Sequence, residues 1–131
     1  MYQAQVRYHF DSAHFLRNYK GKCEKLHGHR FLVSLTIQTP DVDELGLSID
    51  FGDLKKPLKE ITEILDHKNL NEIPPFDKIN PSSENLAAFF FREMTTRLSD
   101  YTAQRKLIIK RVKVWESPDA WASYSPDPIN P

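Results

Sequence analysis

His27-Gly28-His29-Arg30-Phe31-Leu32-Val33-Ser34-Leu35-Thr36-Ile37-Gln38 is the stretch on which the reading of the fold turns. Phe31, Val33, Leu35 and Ile37 alternate with Leu32, Ser34, Thr36 and Gln38, the two-residue period of a strand with one buried face. The same parity carried backward takes in His29 and His27, so an extended segment that begins this early turns both imidazoles toward the buried side. Upstream, Tyr2, Ala4, Val6, Tyr8 and Phe10 alternate with Gln3, Gln5, Arg7 and His9, which predicts another half-buried strand with His14 at its end.

Downstream the period changes. Gly46 to Asp50 reads as a short extended piece, after which Leu54, Leu58, Ile61 and Leu65 take up helical spacing as far as Asp66 and His67. Lys68-Asn69-Leu70-Asn71 and the Pro74-Pro75 pair end that helix and form a loop. Pro81, Ser82, Ser83 and Glu84 announce a second helix, because a hydroxyl can cap its first amides and an acid suits the positive end of its dipole. It runs to about Tyr101, and its Phe89-Phe90-Phe91 run predicts burial against a sheet on one side and a neighbouring element on the other. Leu107 to Glu116 and Ala120 to Tyr124 read as two more strands joined by Ser117-Pro118-Asp119, followed by a proline-rich tail, 125–131, without periodicity. The order β-β-α-α-β-β describes one α+β domain over 1–131, a four-stranded antiparallel sheet with two helices on one face. Edge strands of so small a sheet are best protected by pairing with further copies, so a homo-oligomer is expected.

The chain has 131 residues, 18 basic and 18 acidic, and a formal net charge of zero, which removes the global electrostatic case for nucleic acid or a membrane surface. The N-terminal residues lack the apolar run of a signal peptide, and no stretch is long and apolar enough to span a bilayer. A single cysteine forms no internal disulfide, so the cytoplasm is the expected compartment.

The residues that carry chemistry gather around the first two strands. His27 and His29 lie on one face and, with His14, form a metal-ligand set that leaves a coordination position open. Cys23 has no second cysteine to share a structural zinc site, so its thiol is free for chemistry beside the metal. His9 falls on the polar face and takes no role. Glu116 shares the parity of Val112 and Val114, which puts its carboxylate at the rim of the buried face. Arg17, Lys20, Lys22, Lys25 and Arg30 surround the Cys23 loop against Glu24 alone, a local concentration of positive charge suited to an anionic ligand or simply to a solvated loop. Asp66 and His67 read equally as a helix end with a favourable dipole contact or as a hydrogen-bonded pair, the latter only if the helix stops at Asp66. Ser82, Ser83 and Glu84 suit capping and ligand contact alike.

Taken in order, Phe10-Asp11-Ser12-Ala13-His14, Cys23-Glu24-Lys25-Leu26-His27-Gly28-His29, Asp50-Phe51-Gly52-Asp53-Leu54, Leu65-Asp66-His67, Asn80-Pro81-Ser82-Ser83-Glu84-Asn85-Leu86 and Val114-Trp115-Glu116-Ser117-Pro118 resemble the 6-pyruvoyl-tetrahydropterin synthase family. The three residues between Cys23 and His27 are similar to its bacterial 6-carboxytetrahydropterin synthase branch. The resemblance implies a tunnelling-fold (T-fold) subunit whose strands join a barrel in a trimer or a dimer of trimers. It also implies zinc held by His14, His27 and His29, Cys23 as general base, and His67 oriented by Asp66 as its acid/base partner. Glu116 would anchor the pterin, with Ser83 and Glu84 in the rest of that pocket. The implied reaction takes 7,8-dihydroneopterin triphosphate to 6-carboxy-5,6,7,8-tetrahydropterin with release of acetaldehyde and triphosphate, toward queuosine. Members with a glutamate beside the cysteine resemble a dual-purpose class, so Glu24 is an alternative base that would form 6-hydroxymethyl-7,8-dihydropterin. A 6-pyruvoyl-tetrahydropterin synthase and a zinc-stabilised binding module without turnover are the other expectations.

Overall fold

In the computed structural model, which describes residues 1–128, strands β1 (Tyr2–His14), β2 (His27–Thr39), β3 (Ile108–Ser117) and β4 (Ala120–Tyr124) form one antiparallel sheet in the order β1-β2-β3-β4. Between β2 and β3 the chain makes helices α1 (Phe51–Leu65), α2 (Ser83–Arg97) and α3 (Ser99–Arg105), with a short 3-10 turn at Leu70–Glu72. Helix α1 packs on β1 and α2 packs on β3 and β4, so one face of the sheet is covered. The alternating residues do the covering: Phe31, Val33, Leu35 and Ile37 are fully buried, as are Leu54, Leu58, Ile61 and Leu65 from α1. Phe10 stacks on Phe31 with ring centroids 5.0 Å apart, and Phe90 closes on Phe10 at 5.9 Å. Burying aliphatic and aromatic side chains on this scale is the main force holding the two layers together.

Sequence and structure part company in two places. The second helix does not run through to Tyr101: it stops at Leu98, whose backbone leaves the helical region (φ −103, ψ 13), and α3 restarts at Ser99. Thr95 and Thr96 precede the break and donate their hydroxyls to the carbonyls of Phe91 and Arg92, local bonds that compete with the helix ladder. Gly46 to Asp50 is irregular rather than extended. There the Asp43 carboxylate accepts from the amides of Leu45 (2.8 Å) and Leu47 (3.0 Å), and Gly46 turns the chain at φ +82, so these amides need no strand partner. Helix α1 starts at Phe51, directly after that piece as expected, with the Asp50 carboxylate accepting from the Gly52 amide at 2.8 Å. Of the proline-rich tail, residues 129–131 lie outside the described residues.

Two details of register place everything that follows. His14 pairs with His27 and Ser12 with His29, so the β1–β2 ladder ends with histidines on both strands. The C-terminus of α1 is fastened to β1: the Ser12 hydroxyl donates to the Leu65 carbonyl, the Asp11 amide donates to Asp66 Oδ1 at 2.8 Å, and the His67 amide donates to the Asp11 carbonyl at 2.6 Å.

Candidate active site

The last turns of the β1–β2 ladder point His14, His27 and His29 to the same side as Phe10 and Phe31. The imidazole centroids are 4.7 Å (His14 to His27), 5.1 Å (His14 to His29) and 4.8 Å (His27 to His29) apart. His14 Nδ1 lies 2.7 Å from the Pro81 carbonyl, and His27 Nδ1 lies 2.8 Å from the Lys25 carbonyl. A carbonyl can only accept, so Nδ1 carries the proton in both rings and Nε2 keeps its lone pair. Nε2 of His14 and of His29 are buried without a hydrogen-bond partner, and one ring nitrogen from each of the three histidines falls within a 4.8 Å cluster. Buried lone pairs left unpaired are costly, and three converging on one point suit a cation. Burial pushes the His14 pKa below its ordinary 6.5, although the Pro81 carbonyl and the nearby Glu116 oppose the shift, so the neutral form that binds metals is favoured. The residues present therefore fit a metal ion, with the carbonyls of Pro81 and Lys25 fixing two of the ligands.

Glu116 stands beside this set, its Oε1 3.3 Å from His14 Nε2 and 3.9 Å from His29 Nε2, with 37 % of the side chain exposed. It is at the rim, as its parity predicts, and next to the histidines themselves. On the other side, Asp66 is the residue after α1 and its Oδ2 is 2.8 Å from His67 Nδ1. The helix thus ends where a pairing of neighbours requires, and His67 turns back toward Asp66 through a left-handed backbone (φ +56). The Asp11 amide first, and then His67, hold the Asp66 carboxyl below the ordinary carboxylate range. His29 and His67 line one shallow depression together with Arg30 and Lys68, so the metal set and the Asp66–His67 pair open onto common ground.

Cys23 is exposed, on the loop Phe15–Leu26 that joins β1 to β2. Glu24 is half-buried and occupied: its Oε1 accepts from the Leu16 amide at 3.0 Å, and its own amide donates to the Leu16 carbonyl at 2.9 Å. Arg17, one of the basic residues expected to serve an anionic ligand, is likewise engaged. Its guanidinium donates to the carbonyls of Phe76 (2.8 Å), Asn71 (3.1 Å) and Ile79 (3.2 Å). Asn71 binds both backbone groups of Phe15 (2.9 and 2.9 Å), and Asn80 does the same for Arg17 (2.8 and 3.1 Å). This bolt between the Cys23 loop and the 71–80 segment was not anticipated from sequence, although an asparagine-rich loop beside two prolines signals side chains that imitate backbone pairing. At the start of α2, Ser82 is the cap, accepting from the Asn85 amide at 3.1 Å, while Ser83 is half-buried and Glu84 exposed.

Comparison with known proteins gives this arrangement a family. The profile of the 6-pyruvoyl tetrahydropterin synthase family matches residues 3–127. The chain is 29% identical over 138 aligned positions to the 6-carboxy-5,6,7,8-tetrahydropterin synthase of Rickettsia bellii, covering 92% of this chain and 98% of that one. It is 32% identical over 90 positions to the 6-pyruvoyl tetrahydrobiopterin synthase of Dictyostelium discoideum, covering 67% of each. In fold it resembles the 6-pyruvoyl tetrahydropterin synthase of Caenorhabditis elegans, with a TM-score of 0.79 at 22% identity over 96% of both chains. The chain belongs to the 6-pyruvoyl tetrahydropterin synthase family.

Proposed function

We propose that this pterin synthase is a zinc-dependent 6-carboxy-5,6,7,8-tetrahydropterin synthase. It takes 7,8-dihydroneopterin triphosphate and releases acetaldehyde and triphosphate, a step toward queuosine. The observation that carries the reading is the convergence of His14, His27 and His29, with Nε2 of His14 and His29 buried and unpaired and the Nδ1 protons of His14 and His27 spoken for. Zinc bound there would act as a Lewis acid on the oxygens of the substrate side chain.

The chain's own residues divide the remaining work. Cys23 is the base, its thiol exposed on the loop that leads into His27 rather than sealed in the core. His67 exchanges the second proton, held in place by the ionised Asp66. Glu116 accepts the ring N–H and amino group of the pterin, and its position beside the histidines directs the ring's side chain to the metal. Ser83 and Glu84 complete the pterin pocket from the start of α2. Cys23 is exposed and the His67 side chain is 78 % exposed, so both are open to completion by a second subunit. Among the described residues β1 and β4 are the edge strands of the sheet, and β1 ahead of Asp11 together with β4 offers the surfaces on which a homo-oligomer would assemble.

The test is the mass spectrum of pterins formed when zinc-loaded protein meets 7,8-dihydroneopterin triphosphate. The parent forms 6-carboxytetrahydropterin, whereas Cys23→Ala retains its zinc and loses on the order of 100-fold or more in rate. No pterin product from the zinc-loaded parent would sink the proposal. Full activity in Cys23→Ala would remove the thiol from the mechanism.

A further inference from the structure

The helices cover one face of the sheet, and the other face gathers positive charge that the metal site does not use. Across the strands Arg7 stands opposite Ser34 and Ser34 opposite Lys113, while in the next row His9 faces Leu32 and Leu32 faces Trp115. Trp121 on β4 pairs with Trp115, so both tryptophans of the chain lie on this face. Residues two apart on a strand share a face, so Arg30 joins Leu32 here, on the reverse side from the metal-facing histidines. Arg7, Arg30 and Trp115 are among the residues that line a depression of about 630 Å³.

Two of the cations are held over one ring. Arg7 Cζ lies 5.4 Å from the centre of the Trp115 ring and Lys113 Nζ lies 5.7 Å from the same centre, with Lys113 Nζ also 4.2 Å from the centre of the Trp121 ring. The electron-rich indole faces favour a cation beside them but do not neutralise it. Among the described residues no carboxylate pairs with Arg7 or Lys113, and Arg7 Nε donates instead to the neutral Gln5 at 3.3 Å. Arg30 has Asp11 at 3.7 Å, with both side chains exposed. The chain as a whole is neutral, so the excess is local to this face. Like charges gathered over one ring repel, and an anion placed between them relieves the repulsion.

We propose that this open face is a second binding site, which takes the phosphate chain of a small molecule. The depression has the size of a small-molecule site. A guanidinium fork matches the oxygens of one phosphate, and an ammonium holds a neighbouring phosphate as a point charge. Linked phosphates span Arg7 and Lys113 together, whereas a single phosphate satisfies one of them. The chain is either free polyphosphate or the end of a nucleotide. Strands that add at the edges of β1 or β4 extend the sheet within its own plane, so assembly leaves this face open.

The experiment titrates zinc-loaded protein with inorganic triphosphate, ATP and orthophosphate at fixed ionic strength. Tryptophan fluorescence is the readout, because both tryptophans are on this face. Triphosphate is expected to give a saturable change, with orthophosphate binding at least about tenfold more weakly. Arg7→Gln and Lys113→Gln each weaken triphosphate binding by about fivefold, the scale of one charge-assisted contact at an exposed site. Lys113→Arg keeps the charge and stays within about twofold of the parent. Affinity is taken from the concentration dependence, so a variant's altered emission does not enter. ATP no tighter than triphosphate assigns the site to the free chain and tighter ATP assigns it to a nucleotide, both supporting the proposal. Absence of a saturable change below about 10 mM triphosphate overturns it. It is equally overturned if the affinity is undiminished in both glutamine variants, because the signal then arises elsewhere, zinc drawn off by triphosphate included. Orthophosphate binding as tightly as triphosphate also overturns it.

Discussion

Replacing Arg17 by methionine keeps the apolar stem that lies against Phe15 and removes the guanidinium, which stands 5.5 Å from that ring. Three hydrogen bonds are lost, at 2.8, 3.1 and 3.2 Å, to carbonyls that hold the 71–80 segment against the Cys23 loop. A hydrogen bond from a charged donor contributes about 1.5–3 kcal/mol net when sheltered from water and little when exposed. The bond to Ile79 is exposed and counts for little, so two partly buried bonds at the low end give about 3 kcal/mol. For a domain of this size that corresponds to a melting temperature lower by about 10 °C. Arg17→Lys keeps the charge but not the planar fork, and is expected to recover less than about half of the loss. Urea and thermal unfolding of zinc-loaded protein at one fixed concentration measures both. A loss below about 0.5 kcal/mol in Arg17→Met, the size of an ordinary surface change, refutes the structural role, as does full recovery by lysine. In either case Arg17 returns to the set of residues free to meet an anionic ligand.

Two further outcomes follow from the geometry of the site. Asp66 has its pKa lowered from an ordinary 3.8, so the stability it contributes is fully present above that value and is lost as pH falls through the lowered one. The stability gap between the parent and Asp66→Asn should therefore be widest at neutral pH and close in acid, and a carboxyl midpoint at or above 3.8 in a carbon NMR titration contradicts this. Ser82→Ala removes the side-chain acceptor for the Asn85 amide and should cost about 1 kcal/mol in urea unfolding, while Ser82→Gly costs a few tenths. Equal losses for the two would show that the hydroxyl serves something other than the cap.

What the sequence made legible follows from how local each signal is. Alternation in Phe31 to Gln38 fixes which side of a strand is buried, and parity alone carried that side back to His29 and His27, as the parity of Val112 and Val114 on another strand carried it to Glu116. The apolar spacing from Leu54 to Leu65 likewise located α1, because burial on one face is written into every third or fourth residue. The break at Leu98 escaped, since it depends on threonine hydroxyls choosing their own helix's carbonyls over water. The duties of Arg17 and Glu24 escaped for a different reason. Both are charged residues in a polar loop, where sequence shows only charge, and their partners are backbone groups that have no sequence signature. The partners of Arg17 lie more than fifty positions away, and only the folded chain brings Asn71, Phe76 and Ile79 to it.

The fastening of 66–69 onto β1 also sets how far that strand can be extended sideways. Asp11 spends its outward amide on Asp66 and its outward carbonyl on His67, and Ala13 gives its amide to the Lys68 carbonyl. A strand from another molecule that adds to this edge finds free backbone groups only on the side of Asp11 toward Tyr2, and must halt where the segment begins. The segment is thus a doorstop, and whatever residue ends the incoming strand comes to rest beside His67.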